Sequence, residues 1–186
     1  MGNRLSKLAT KTGDDGTTGI GSNQRLDKDS IRIEAIGAVD ELNAAIGMVA
    51  SQPLTEEIAD PLNEIQHRLF DLGGELAMPG YTLLTQDHVA QLDSWLAHFN
   101  EQLPPLKEFV LPKGDLATTS CHLARTICRR AERRLVTLTK EEATSDNGGI
   151  YLNRLSDLLF VFCRLLARNL GSSEEMWQSR RVSLDA

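Results

Sequence analysis

From residue 36 onward, apolar positions recur at steps of three and four, the spacing of helices that bury one stripe. Ile36, Val39, Leu42, Ile46 and Val49 form the first stripe, and Pro53 stops it. Ile58, Leu62, Ile65, Leu69, Leu72 and Leu76 alternate steps of four and three, close to a bundle seam. For this second helix the spacing predicts Asp60 as N-cap and Pro61 as first helical residue, with Pro79-Gly80 closing the segment. A third helix runs from Thr85 with Val89, Leu92, Leu96 and Phe99 inward. Pro104-Pro105 and FVLPKGD then break the chain. Asp115 caps a fourth helix whose stripe is read as Leu123, Ile127, Ala131, Leu135 and Leu138. TSDNGG reads as a turn, and a fifth helix follows from about Ile150 to Leu170.

The fold class is therefore all-α. We expect an up-and-down five-helix bundle of the four-helix-bundle, ferritin-like type, forming one domain over residues 1–186. Residues 1–30 are polar and glycine-rich without a sustained period, and residues 171–186 form a C-terminal tail. The fifth helix is apolar almost all round, as in Leu158, Leu159, Phe160, Val161 and Phe162, so it is expected to be central or covered by another subunit.

Composition narrows the function classes. A net charge of −6 argues against broad binding to nucleic acid or anionic membrane, which needs a basic surface. Three cysteines without CxxC spacing suit free thiols in a reducing cytoplasm. No apolar run reaches the roughly 18 residues of a transmembrane helix.

Against that acidic background, RTICRRAERR at 125–134 concentrates five arginines around one acid, Glu132. Arg125, Arg129 and Arg133 fall at i, i+4 and i+8 on one helix face. Two unit charges about 6 Å apart repel by roughly 3 kcal/mol at an effective dielectric of 20. Solvent can screen that repulsion on a plain basic face, or an anion can relieve it. Guanidinium forks suit a polyanion because they bind phosphate oxygens in pairs and keep their charge. Arg130 and Arg134 point to a neighbouring face, where a structural role is open. On the fifth helix Asn153, Asp157 and Arg164 lie on nearly one line and need partners in so apolar a setting. Asp40 in VDELN can pair with an arginine, hold a metal, or be an ordinary surface acid. Glu64-Ile-Gln-His67 is half of a di-iron motif without its second copy. Cys121, His122 and Cys128 fit no usual zinc spacing and are read as helix packing.

TKTGDDGTT, AIGAVDELNAAIG, FVLPKG, CHLARTICRRAERR and YLNRLSDLLF, in that order over about residues 8–170, resemble the PduO-type ATP:cob(I)alamin adenosyltransferases. The resemblance implies a helical bundle assembled as a homotrimer with active sites between subunits. It implies transfer of the 5′-deoxyadenosyl group of ATP to the cobalt of reduced cobalamin, with release of triphosphate. A non-catalytic ATP- or corrinoid-binding module, or a corrinoid chaperone, is the rival class. By the same resemblance, Thr10, Lys11, Thr12 and Gly13 in the 1–30 loop meet the ATP phosphates, and Thr18, Gly19 and Lys28 make further nucleotide contacts. Arg129, Arg130, Glu132 and Arg133 match the ATP-binding RRAER segment, and Asn153 matches a nucleotide-binding asparagine. Arg125 and Asp40 match an intersubunit salt bridge, and Phe109 matches an aromatic that crowds the lower face of the corrin. Arg129, Arg125, Asp40 and Phe109 are thereby the residues expected at the reaction. The family commonly has LPGG where this chain has Leu111-Pro112-Lys113-Gly114, which bears on the shape of that loop.

The expected cofactor set is ATP with Mg²⁺ bridging its phosphates, and cobalamin as substrate. Asp14 and Asp15 are read either as neighbours of Mg²⁺ or as anchors for a Lys or Arg. A cobalamin reductase and an adenosylcobalamin-dependent enzyme are expected partners, and the setting is expected to be cytoplasmic.

Overall fold

Five helices form where the apolar spacing predicts them: α1 (Ile31–Ala50), α2 (Glu56–Ala77), α3 (Gln86–Asn100), α4 (Leu116–Thr139) and α5 (Asp146–Asn169). The computed structural model describes residues 11–21, 24–171 and 174–178, so Thr10 and most of the tail lie outside the described residues. The main pairings run α2 to α1, α1 to α4, α4 to α5 and α5 to α3, around one continuous apolar core. Burying leucine and isoleucine side chains at these seams supplies the main driving force, about 1.5–3 kcal/mol for each fully buried side chain. The centre of the bundle is α5, where every residue from Val161 to Ala167 is buried. Its all-round apolar character is thus explained inside the chain, by α4 and α3.

Four local readings change. Thr55 is the N-cap of α2, and Pro61 lies inside the helix, buried in the core. Ile58 and Ala59 donate to the Thr55 carbonyl at 3.0 and 2.9 Å, so the helix is nucleated a turn before the proline. Packing of Pro61 offsets the one backbone bond its ring cannot make. Second, DNGG within TSDNGG is the first turn of α5 and no loose turn: Ser145 Oγ accepts the Asn147 N–H at 3.3 Å. Gly148 is there for space, since a Cβ would stand 2.8 Å from Leu72 Cδ1 and 3.2 Å from Leu135 Cδ2.

Third, Leu123 is 50% exposed and does not belong to the core stripe of α4. The buried face of α4 runs through Ala117, Cys121, Ala124, Cys128, Ala131, Leu135 and Leu138. Small side chains there let α4 approach both α1 and α5 closely, and that turns the leucine outward. Fourth, the polar N-terminal region contains a hairpin of β1 (Thr17–Gly19) and β2 (Arg25–Asp27), paired antiparallel with Thr18 opposite Leu26. Three-residue strands are too short to show a period.

Ion pairs fix the bundle's register. Arg134 pairs with Glu34 at 3.0 Å and Arg130 with Glu41, which sets α1 antiparallel to α4. Buried Arg32 donates to the Leu76 carbonyl at 2.6 Å and pairs with Glu142, tying the start of α1 to the ends of α2 and α4. The Glu75 carboxylate accepts the backbone N–H groups of Leu83 and Leu84, which holds the loop into α3. The half-motif glutamate, Glu64, is spent on Arg68 at 2.8 Å, and His67 is exposed.

The lack of space at Gly148 gives a stability prediction. Gly148→Val should destabilise the fold by about 1–3 kcal/mol through overpacking against Leu72 and Leu135. Urea unfolding checks this, and an unchanged midpoint would contradict the packing described.

Candidate functional site

The site is built from a loop at one end of the molecule and a cleft on one flank. In the loop, Lys11 has a left-handed φ of 57°, and the chain turns through Gly16 at φ 86°. Thr12, Gly13, Asp14 and Asp15 form the turn between them. Gly13 has no room for a side chain, because a Cβ would meet the Thr17 carbonyl oxygen at 3.0 Å and Lys28 Cε at 3.3 Å. Lys28 Nζ donates to the Gly13 carbonyl at 2.8 Å, and its backbone N–H to the Gly16 carbonyl at 2.9 Å. Glycines, threonine hydroxyls and a lysine on a tight turn suit an anion approached by backbone N–H groups.

Asp15 is an anchor. Its carboxylate accepts the Thr17 N–H at 2.9 Å and the Thr17 hydroxyl at 2.8 Å, and it stands 3.7 Å from Arg25. The Thr17 N–H, then the hydroxyl, hold the Asp15 carboxyl below the usual carboxylate range. Arg25 also donates to the Thr12 carbonyl, and its Nε to Thr17 Oγ1 at 2.9 Å. One guanidinium thus ties the phosphate-type turn to the hairpin. Sequence reasoning missed Arg25, since a lone arginine in a polar stretch has no periodic context. Asp14 is exposed and makes no hydrogen bond or ion pair among the described residues. Thr18 and Gly19 lie in β1, and Gly21 beyond it donates to the Ala77 carbonyl at 2.9 Å, docking the hairpin on the end of α2.

The cleft lies between α4, α5 and the segment before α4. It has a volume of about 530 Å³ and is lined by Arg125, Arg129, Phe109, Asp157 and Phe160 among others. Phe109 is 76% exposed on its rim. Arg125 stacks over the Phe160 ring with its guanidinium carbon 5.9 Å from the centroid. Arg125 Nε is buried and has no hydrogen-bond partner among the described residues. Burying a charged donor without a partner is costly, so this atom marks a place where a partner is missing. Arg129 and Arg133 are exposed and make no ion pair among the described residues, whereas Arg130 is engaged by Glu41.

Glu132 and Asn153 meet across α4 and α5: Asn153 Nδ2 donates to Glu132 Oε1 at 3.1 Å. Arg154 donates to Asn153 Oδ1 at 3.0 Å and to Asp93 at 2.9 Å, so the amide of Asn153 is held from both sides. Asp40 is exposed in a separate groove between α1 and α2, of about 450 Å³, lined by Gly37, Phe70, Gly73 and Ala77. Phe70 is 70% exposed there. Within the chain Asp40 and Arg125 thus lie in different clefts, and among the described residues none of the N-terminal hairpin lines the cleft of Arg125.

The segment carrying Phe109 is held from behind. Lys113 pairs with Glu175 of the tail. Gly114 has φ 143°, and Asp115 then caps α4 by accepting the Thr118 N–H at 2.9 Å. The three cysteines are buried: Cys121 donates to the Leu159 carbonyl at 3.3 Å and Cys128 to the Leu152 carbonyl at 3.2 Å. Burial pushes the Cys128 thiol well up, so it offers no thiolate to substrate.

The geometry agrees with what the chain is similar to. A model of the cobalamin adenosyltransferase family matches residues 8–166. The chain is 57% identical over 184 residues to a protein of Cupriavidus metallidurans named cobalamin adenosyltransferase, covering 98% of this chain and 100% of that one. It is 43% identical to the corrinoid adenosyltransferase of Bacillus subtilis, covering 95% and 94%. Among solved structures, a phenylalanine-to-alanine variant of a PduO-type ATP:corrinoid adenosyltransferase from Lactobacillus reuteri, complexed with cobalamin and ATP, superposes with a TM-score of 0.89. It is 34% identical and the match covers 93% of this chain and 100% of that one.

Arg25 is predicted to order the turn. In Arg25→Ala, amide hydrogen exchange across residues 12–19 should speed up by about tenfold or more, with exchange in the helices unchanged. Unaltered protection of the turn would contradict the anchoring role.

Proposed function

The chain belongs to the cobalamin adenosyltransferase family, and from that premise we propose how its residues transfer the 5′-deoxyadenosyl group of ATP to the cobalt of reduced cobalamin. The observation that carries the reading is the single cleft that Arg125, Arg129 and Phe109 line together. Cob(I)alamin brings its own nucleophile, so the protein needs no activated Ser, Cys or Lys. The Co(I) electron pair attacks C5′, the C5′–O bond breaks, and triphosphate leaves with that bond's electrons. Negative charge grows on the leaving oxygen, and Arg129 and Arg133 are placed to stabilise it. Lys11, Thr12 and Gly13 hold the triphosphate from the other side, with Thr10, Thr18, Gly19 and Lys28 completing the loop. Lys28 moves from the Gly13 carbonyl to phosphate as nucleotide enters. Glu132 and Asn153 hold the nucleoside, and their mutual hydrogen bond orients both before binding. Arg130 acts through its pair with Glu41, setting the phase of α4 against α1.

Mg²⁺ fits this site as an ion carried largely by phosphate oxygens and water, with a carboxylate or two. Asp14 is the carboxylate available for it, since Asp15 is occupied by Thr17 and Arg25. When bound, the ion would offset charge on the departing triphosphate.

We further infer a homotrimer in which the α1–α2 groove of one subunit receives the α4–α5 flank of the next. The buried, unpartnered Nε of Arg125, the exposed Asp40 and the exposed Phe70 support this arrangement. With Arg125 on Asp40, Arg129 and Arg133 climb about 12 Å along α4 past Arg125. Because α1 and α4 of each subunit are antiparallel and the hairpin docks beside the Asp40 groove, that climb leads the ladder towards the neighbour's loop. Phe109 faces the corrin from its rim and crowds its lower side. Loss of the lower axial base removes an electron donor from cobalt and eases reduction to Co(I).

Protein, ATP and chemically reduced cobalamin should give adenosylcobalamin and triphosphate in equal amounts, and accumulation of orthophosphate or pyrophosphate would contradict in-line displacement at C5′. Arg129→Ala should lower kcat/KM by roughly a hundredfold or more while keeping the assembly intact; unchanged turnover would remove the ladder from the site. Asp40→Ala or Arg125→Ala should weaken subunit association or corrinoid affinity, each by about tenfold or more, because the surviving partner is left buried and unpaired. Sedimentation and kinetics indistinguishable from the parent protein would rule out the pairing.

A further inference from the structure

We propose that residues 174–178 and Arg164 are positioning residues for the reaction, a strap that fixes Phe109 at the corrinoid cleft. This rests on the reading of Phe109 given above. Residues 104–115 carry Phe109 between two helices without regular structure of their own, apart from a single bridge in which Val110 pairs antiparallel with Met176. Two backbone bonds flank that bridge: Trp177 N–H donates to the Phe109 carbonyl at 2.7 Å, and Leu111 N–H to the Glu175 carbonyl at 2.8 Å. The main chain immediately after the Phe109 side chain is thus held by the tail. On its N-terminal side the Phe109 N–H is accepted by the carboxylate of its neighbour, Glu108, at 2.9 Å.

The strap is itself anchored in the core. Arg164 and Glu174 are both almost fully buried, with Nε to Oε1 at 2.6 Å. The same guanidinium donates through Nη2 to the Pro104 carbonyl at 2.8 Å. One buried arginine on α5 therefore pins the start of the Phe109 segment and the start of the strap together. Arg168 adds a second positive charge 3.6 Å from Glu174. At the other end, Lys113 pairs with Glu175. The space enclosed between Val110, Lys113, Glu174 and α5 is only about 10 Å³, at the lower limit for one water, so strap and loop are in direct contact. This gives Arg164 the partner that so apolar a helix requires, and it gives Lys113 a purpose that glycine could not serve. A Phe109 held in one place crowds the corrin on arrival, whereas a loose segment would yield to the lower axial base.

The test compares Glu174→Gln, Trp177→Pro and Trp177→Ala in the full chain, with Phe109→Ala alongside. Trp177→Pro removes the N–H that the Phe109 carbonyl accepts and leaves the buried anchor in place, so it reports even where Glu174→Gln fails to fold. Cob(II)alamin bound with ATP is examined by electron paramagnetic resonance, where an axial nitrogen on Co(II) splits the signal and its departure removes the splitting. Glu174→Gln and Trp177→Pro should retain the nitrogen splitting and raise KM for cobalamin by about tenfold, with KM for ATP within about twofold of the parent. Trp177→Ala, which keeps the N–H, should resemble the parent. Parent-like spectra and KM in Trp177→Pro would overturn the strap, and so would equal losses in Trp177→Pro and Trp177→Ala, which would place the effect in the indole. If Phe109→Ala itself left the spectrum unchanged, the reading of Phe109 would fail instead.

Discussion

Arg125, Arg129 and Arg133 stand one turn apart on α4 and cannot lose their charge. Each turn of helix brings like charges together, and the buried Nε of Arg125 has no hydrogen-bond partner among the described residues. Solvent screens such a row in part, and negative charge from outside the fold relieves it more strongly. In the proposed function, triphosphate supplies that charge at Arg129 and Arg133, and the neighbour's Asp40 supplies it at Arg125. The same constraint explains why the other two arginines behave differently. Glu34 and Glu41 of α1 neutralise Arg134 and Arg130, so the register of α1 on α4 leaves only the ladder face uncompensated.

In the same proposal, the N-terminal turn meets the triphosphate from the opposite side. Bare carboxylates beside a triphosphate would repel it, and Asp15 avoids this by being engaged before any nucleotide arrives. Thr17 and Arg25 take up its charge, and Arg25 in return holds the Thr12 carbonyl. That leaves backbone N–H groups, hydroxyls and lysines to meet the phosphates. Preorganisation of this kind favours the transition state because no reordering is required as charge develops. Apolar seams position these polar parts: the small residues of α4 set its distance from α5, and Gly148 lets Leu72 and Leu135 close over the start of α5.

The helices were legible because a buried stripe repeats every 3.6 residues wherever one face is dry. The arginine ladder was legible for the same reason, as was the need of Asn153 and Arg164 for partners. What escaped were features whose signal is not periodic. Gly148 looked like turn chemistry because glycine for space and glycine for φ are identical in sequence. Pro61 looked like a helix start because Asp60-Pro61 is the stronger local start signal, while Thr55 makes no side-chain cap bond. Leu123 looked like core because an alanine-lined face carries less hydrophobic signal than the leucine beside it. Arg25 and Glu174 find their partners through hairpin and tail geometry, which no spacing rule encodes.

The central claim is that one active site takes its loop from one subunit and its arginines from the next. Hybrid trimers test it most directly. Gly13→Val, which fills the turn, and Arg129→Ala should each be inactive alone. Subunits of the two variants, co-assembled in equal amounts, would restore one intact site in each mixed trimer. With three quarters of trimers mixed, about a quarter of the parent activity should return. No recovery, in trimers shown to be mixed, would place loop and ladder in the same subunit and contradict the account.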